Sequence, residues 1–291
     1  MLTLISCHNQ IDTALTELRA LDPLVKYIEL RVDCLHNAEP EKITQFCQQA
    51  PVPVILTLRD QADGGQFHGQ QSKRHQQLIE LSQLPADYID IEDHVPNAII
   101  DRILAQGIHV IRSHHNFHHT TDQLEALYQS LLYPGVAHYK IATQANSSLD
   151  SLRMLQLTKR HDNLSAHCMG EDGLLSRYLA ITANNQFIYA AATAPTGLKA
   201  LPLVDDFKAL EINTVTQRTA LYALIGDPVC YSPGPRFHNQ YFHDQRIDAR
   251  YVAIRLEQHE LQSFLSHCSA LNIQGLSVTI PLKQAITRHL R

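Results

Sequence analysis

A chain of 291 residues with a formal net charge of −5 and no lysine- or arginine-rich run is poorly suited to nucleic acid or an anionic membrane. A small anionic substrate would need only one or two local basic groups. With 44% hydrophobic residues, the chain can fill one large domain, or a large one and a small one.

The N-terminal "MLTLISCHNQ" has no basic flank and no cleavage site, and reads as a first strand rather than a signal peptide. No segment approaches the roughly 20 apolar residues of a membrane helix. The six cysteines (Cys7, Cys34, Cys47, Cys168, Cys230, Cys268) are scattered without C-x-x-C spacing. They read as reduced thiols of a soluble, cytoplasmic protein rather than a disulfide framework.

Short β-rich runs follow in order: "LTLISCH" (2–8), "KYIELRVD" (26–33), "PVILTLR" (53–59), "YIDIED" (88–93), "IHVIRSHH" (108–115), "AHYKIAT" (137–143), "LSAHCMG" (164–170) and "FIYAAAT" (187–193). Between several of them lie helix-like stretches such as "IDTALTELRAL", "EKITQFCQQA", "SKRHQQLIELSQL", "NAIIDRILAQG" and "SLDSLRMLQLTKR". That alternation predicts βαβ units and a parallel sheet. Eight units favour an α/β fold closed as a (β/α)8 barrel, and no G-x-G-x-x-G follows any strand, which argues against a dinucleotide-binding sheet.

A barrel places its chemistry at the C-terminal ends of its strands. The second strand ends in Glu29, Arg31 and Asp33, all of one parity and so expected on one side. Arg59 ends the third, His115 the fifth, Lys140 lies in the sixth, and Arg177 follows the seventh. Such convergence of charge is costly unless it is paired or hydrated. The non-functional alternative is a solvated ion-pair network at the barrel mouth.

Alternation points Lys140 inward with His138 and Ala142. Placed near Arg59 and Arg177, its amine would be held unprotonated and free to attack a ketone, giving an iminium that acidifies the neighbouring carbon. A base is then required, and histidine titrates near neutrality. In "IRSHHNFHHTT" (111–121), His114 and His115 must point to opposite faces, while His118 and His119 fall in the next loop. No H-E-x-x-H or carboxylate–histidine spacing accompanies them, so a single inward histidine, His115, is favoured over a metal site.

The set "IELRVD", "ILTLRDQADGG", "SHHNF..T", "YKIAT", "MGEDGLLSR" and "ATAP" resembles type I 3-dehydroquinate dehydratase over residues 1–205. The resemblance implies a (β/α)8 barrel, a homodimer, no cofactor, and loss of water from 3-dehydroquinate through a Schiff base, giving the 3-dehydroshikimate of aromatic amino acid biosynthesis. It implies that Lys140 forms the imine and that His115 moves the proton beside it. It implies further that Glu29 meets substrate hydroxyls with Arg31 beside it, that Arg59 joins them, and that Arg177 clamps the carboxylate with a planar fork. Asp63 stands where the family has the glutamate that orients the histidine, Thr193 replaces a serine, and Asn116 replaces an aspartate. At "APTGLKA" (194–200) Gly197 falls at the lid glutamine, with Thr196 or Lys199 as candidate substitutes.

After the polar stretch "DDFKALEINTVTQRTA" (205–220), "LYALIGDPVCYSPGPRFHNQYF" and "LNIQGLSVTIPLKQA" resemble the substrate-binding half of shikimate dehydrogenase. By that resemblance Ser232, Pro235, His238, Asn239, Thr279 and Lys283 match site positions, Gly234 and Ser277 depart from them, and NADP would be needed only by a complete dehydrogenase. Read without the resemblance, Lys283 is a solvated lysine at a helix start. The expected organisation is a barrel over 1–210 and a partial α/β substrate-binding domain over 220–291, the latter loosely held, open to proteolysis and without dehydrogenase activity. Two rivals remain: a class I aldolase, whose barrel lysine also makes an imine, and a non-catalytic protein that binds quinate-like acids.

Overall fold

Eight of the apolar runs become parallel strands of a single sheet in the computed structural model, which describes residues 1–193 and 201–290. They are β1 (Leu2–Ser6), β2 (Val25–Arg31), β3 (Val54–Thr57), β4 (Tyr88–Glu92), β5 (His109–Asn116), β6 (His138–Gln144), β7 (Leu164–Met169) and β8 (Ile188–Ala190). Helices α1 (Ile11–Arg19), α2 (Pro40–Gln49), α3 (Gln71–Leu81), α4 (Asn97–Leu104), α5 (Leu124–Leu131), α6 (Ser148–Arg160) and α7 (Leu174–Tyr178) alternate with them. α6 shows why such a segment starts and stops where it does. The Ser147 hydroxyl accepts from Leu149 N at 3.0 Å, Asp150 sits in the first turn, and Lys159 and Arg160 close the last.

Sheet order runs β7-β6-β5-β4-β3-β2-β1-β8, a barrel closed everywhere except between β7 and β8. The three residues of β8 pair with β1 alone, and side chains bridge the seam to β7. Ser165 Oγ accepts from Phe187 N at 2.9 Å, while Asn185 bonds both Ala166 N (2.9 Å) and Ala166 O (3.2 Å). Below the mouth, Phe187 packs edge-on against Tyr27, Tyr88 and His138 at 4.9, 5.4 and 4.8 Å between ring centroids. This plug makes the lower barrel a packed core and leaves the strands' C-terminal ends as the open face.

Beyond the barrel, helix α8 (Val204–Ala209) leads to three parallel strands, β9 (Ala220–Gly226), β10 (Ala249–Arg255) and β11 (Ile273–Val278), ordered β10-β9-β11. Helices α9 (Gly234–Asp244) and α10 (Leu261–Cys268) join them. No helix among the described residues is long and apolar enough to cross a membrane.

Two expectations are corrected here, and the polar connector over 205–220 is itself not loose: Phe207 is fully buried in the barrel's core cluster, and Arg250 grips the carbonyl of Leu210 at 2.9 Å. The second sheet is not loosely held either, because Leu152, Leu155, Leu175 and Leu179 of the barrel share one buried cluster with Leu221, Ile225, Phe264 and Leu282. Polar contacts rim that cluster, with Lys159 Nζ donating to Ala270 O at 2.9 Å and Ser147 to Glu260. Finally, Cys7 and Cys34 form a disulfide, with Cα atoms 5.7 Å apart. Sequence spacing could not show it; adjacent parallel pairing of β1 with β2 brings the strand ends together.

Candidate active site

A cavity of about 670 Å³ opens at the barrel mouth and is lined by Glu29, Arg31, Arg59, Asp63, His115, Lys140 and Arg177, all singled out from sequence. Even-numbered strands supply one charged layer, Glu29 from β2, Asp90 from β4 and Lys140 from β6, as alternate strands of a barrel do. The Lys140 ammonium donates to Asp90 at 3.1 Å and to Glu29 at 3.4 Å, and lies 4.0 Å from the centre of the Tyr189 ring. The amine is therefore not bare between two arginines: two carboxylates reach it first.

Arg59 crosses this floor with Nη1 2.9 Å from Asp90 and 3.2 Å from Glu92. Burial opposes its charge, but Asp90, Glu92 and Glu29 outweigh burial and hold the guanidinium well above its ordinary value. In return, Arg59 and Lys140 overcome burial at Asp90 and hold that carboxyl far below the usual range. Ser113 adds its hydroxyl to Asp90 at 2.6 Å.

His115 behaves as alternation requires: its ring lines the cavity, whereas His114 turns outward to Asp93 at 2.8 Å. His118 and His119 lie in the loop, where their backbone N–H groups donate to the Asn116 side chain at 2.9 and 3.1 Å. Burial, then the charges of Arg59 and Lys140, push His115 well below its ordinary value, so it is a neutral base at neutral pH. Its Nδ1 faces Asp63 at 3.4 Å without hydrogen-bond alignment. Asp63, raised to about 6 by burial and by Glu92, is flanked on its other side by His94 at 3.5 Å. The turn that carries it needs Gly64, whose φ of +73° and contact with the Phe117 ring leave no room for a side chain.

Arg177 differs from every other charge here. Its Nε donates to Cys168 O at 2.9 Å, and no carboxylate among the described residues pairs with it. Burial lowers it to about 10, yet it stays cationic at neutral pH. A buried guanidinium without a carboxylate partner is a ready seat for an anion.

Other assignments fare differently. Arg31 lines the cavity but is paired with Asp33 at 2.7 Å. Asp33 does not share that face: the chain turns after β2, and its carboxylate lines a separate cavity of about 640 Å³ outside the barrel while accepting from Gln66 N at 2.9 Å. Thr193 is exposed and outside the lining, and Thr196, Gly197 and Lys199 lie outside the described residues. In the second sheet, Ser232 Oγ accepts from Gly234 N at 3.1 Å, Lys283 is exposed on a turn, and the cavity between Asp227, Glu257 and Pro281 is lined by none of Ser232, Thr279 and Lys283. Asn239 is structural, bonding Tyr251 through both N (2.7 Å) and O (2.9 Å).

Sequence reasoning passed over Asp90, Glu92, His167 and Tyr189. The signal was present for the first two, because "YIDIED" places both acids at one parity.

A family model described as Type I 3-dehydroquinase matches residues 7–212, and one for the shikimate dehydrogenase substrate binding domain matches 224–291. The chain is similar to the chloroplastic bifunctional 3-dehydroquinate dehydratase/shikimate dehydrogenase of Arabidopsis thaliana, 31% identical over 267 residues, 89% of this chain and 44% of that protein. It is 33% identical to a 3-dehydroquinate dehydratase of Dehalococcoides mccartyi over 171 residues, 57% of this chain and 75% of that one. The structure of dehydroquinate dehydratase and shikimate dehydrogenase from S. pombe overlays 99% of this chain and 58% of its own with a TM-score of 0.61 at 21% identity, which speaks for the fold. The chain spans about half the length of its bifunctional relatives.

Proposed function

This chain belongs to the type I 3-dehydroquinase family, and on that premise we propose that it converts 3-dehydroquinate to 3-dehydroshikimate through an imine on Lys140. The observation that carries the reading is the pairing, in one cavity, of an inward lysine with a buried arginine that has no carboxylate of its own among the described residues. Arg177 takes the substrate carboxylate bidentately, which places the ketone at Lys140.

Lys140 sheds a proton to Glu29 and attacks the ketone carbon; the carbinolamine loses water to give the iminium. Neutral His115, with Nδ1 turned to Asp63, presents Nε2 to the adjacent carbon and removes its proton, forming an enamine. The carbon–oxygen bond of the hydroxyl on the next carbon then breaks. His115 returns its proton, the hydroxyl departs as water, and hydrolysis of the conjugated iminium frees Lys140. Glu29 and Arg31 meet the ring hydroxyls, and Arg59 holds the carboxylates in place. This chemistry is carried by side chains alone and calls on no cofactor.

We take residues 1–210 to be the catalytic barrel and 220–291 a substrate-binding unit that does not itself turn over NADPH. No glycine-rich strand-to-helix turn within these residues could seat NADP, and Lys283 is exposed. A cytoplasmic homodimer belongs to the same reading, which sedimentation of the purified protein would test.

Incubation with 3-dehydroquinate and borohydride should add one reduced ligand to the peptide bearing Lys140, while untreated enzyme releases the conjugated enone. Labelling that survives Lys140→Ala would overturn the assignment. An adduct without enone would favour an aldolase-type or purely binding role.

A further inference from the structure

We infer that His167 is a substrate-binding residue of the barrel cavity that hydrogen-bonds the hydroxyl on the carbon bearing the substrate's carboxylate, so that the site selects tertiary α-hydroxy acids. The inference deepens the reading above and rests on it for the placement of the substrate.

Strand β7 directs Ser165, His167 and Met169 inward. Its register with β6 sets Ser165 opposite Lys140 and His167 opposite Ala142, so His167 stands one inward position nearer the mouth than the lysine. Its ring packs against Tyr189 at 5.5 Å, and the same Tyr189 ring carries Lys140 Nζ at 4.0 Å. The following residue supplies the carbonyl, Cys168 O, to which Arg177 Nε is tied at 2.9 Å. His167 therefore lies between the amine that forms the imine and the guanidinium that takes the carboxylate.

Although only 6% exposed, His167 lines the cavity, and neither of its ring nitrogens hydrogen-bonds a described residue. A ligand hydroxyl in the cavity can supply that missing hydrogen bond. Burial, then the charges of Arg177 and Lys140, hold the ring well below its ordinary value. The neutral ring offers one N–H donor and one acceptor without adding a third positive charge.

A substrate with its carboxylate on Arg177 and its ketone carbon on Lys140 spans the gap with two ring carbons. The one nearer Arg177 carries the hydroxyl that departs, within the sector that His167 faces. As that carbon–oxygen bond breaks, the N–H of His167 meets the charge growing on oxygen, while the proton that completes water comes from His115.

The test compares binding of quinate, which has this hydroxyl but no ketone, with 1-deoxyquinate, which lacks it. Wild-type protein should prefer quinate by about 10-fold, the size of one good hydrogen bond. His167→Phe should bring the ratio near one and lower turnover of 3-dehydroquinate at least about 10-fold while leaving the borohydride-trapped imine intact. A wild-type protein indifferent to the hydroxyl, or a His167→Phe protein that keeps the preference, would overturn the inference, as would joint loss of adduct and turnover. Should the variant not fold, the His167 ring ¹⁵N resonances of wild-type protein decide: movement with quinate but not with 1-deoxyquinate supports the contact, and no movement refutes it. Failure of the dehydratase reading appears separately, as wild-type protein that yields neither adduct nor enone, because the binding ratio needs no turnover.

Discussion

Lys140 Nζ and the Asp90 carboxylate meet at 3.1 Å in the centre of the barrel, both more than nine-tenths buried. The same carboxylate takes Arg59 at 2.9 Å, so one anion serves two buried cations. Removing one member of such a cluster leaves an uncompensated charge, which costs more than the pair contributed. We expect Asp90→Asn to destabilise the protein by about 3–5 kcal/mol and to lower kcat at least about 100-fold. Urea unfolding and a steady-state assay check both; wild-type values for either would show that Asp90 is dispensable.

Among the described residues, Arg177 is held by a single backbone carbonyl, which leaves its fork for a ligand. Arg177→Lys retains the charge and loses the bidentate geometry. We expect kcat/KM to fall by roughly 10²-fold, with the borohydride-trapped adduct reduced in proportion, since misplacing the carboxylate misplaces the ketone. Unchanged kinetics in this variant would put the carboxylate elsewhere.

Acid dependence should come from Asp63 rather than from His115. His115 is held well below 6.5 and stays neutral as pH falls, whereas Asp63 takes up a proton at about 6. Once protonated, Asp63 no longer offers the imidazolium formed during turnover an opposing charge. Activity should therefore decline as pH falls through about 6, and Asp63→Asn should be slow but lack that limb. The stability effect has the opposite sign. Because the folded value lies above the ordinary 3.8, the folded state holds this proton more tightly. The contribution of Asp63 is most favourable below about 3.8 and is lost as pH rises through about 6, by some 1–2 kcal/mol once partial solvent access is allowed for. A pH–rate profile of Asp63→Asn with an unaltered acid limb would assign that limb to another group.

The strands and most of the cavity were legible because a parallel barrel writes itself twice, as β-rich runs at steady spacing and as polar groups at their C-terminal ends. Lys140, His115 and Arg177 could be read from parity and position, and all three line the cavity. Pairing was not legible. Nothing local says that Asp90 rather than Arg59 lies against the Lys140 amine, or that Asp33 follows a turn out of the site, because both depend on strands distant in sequence. The disulfide shares that limit, since Cys7 and Cys34 are neighbours only through the pairing of β1 with β2. His167 was hidden for another reason: inside an apolar strand, a lone histidine looks like any packed residue until its missing partners are seen.

The stretch after the barrel invites cleavage by its composition, without glycine or proline but rich in charge and amide, yet its packing points to resistance. Phe207 is buried without remainder, Ile212 nearly so, and Arg250 from β10 holds the carbonyls of Leu210 and Glu211 at 2.9 and 3.4 Å. Proteases need several residues of extended, released backbone, and these bonds must open first. The second sheet would have to come away from Leu152, Leu155, Leu175 and Leu179, and Phe264 sits fully buried where the two meet. We expect limited proteolysis of the wild-type protein to leave 205–220 intact under conditions that nick exposed loops. Phe264→Ala, which should cost about 3–5 kcal/mol as a core aromatic truncation, should make that stretch cleavable. Arg255 and Asp172 are 3.4 Å apart, which ties β10 to the turn that precedes Arg177. The same variant should therefore raise KM for 3-dehydroquinate modestly, whereas loss of Lys140 abolishes kcat. Rapid cleavage of the wild-type protein within 205–220, yielding a fully active barrel, would show instead that the second sheet is an appendage without grip on the first.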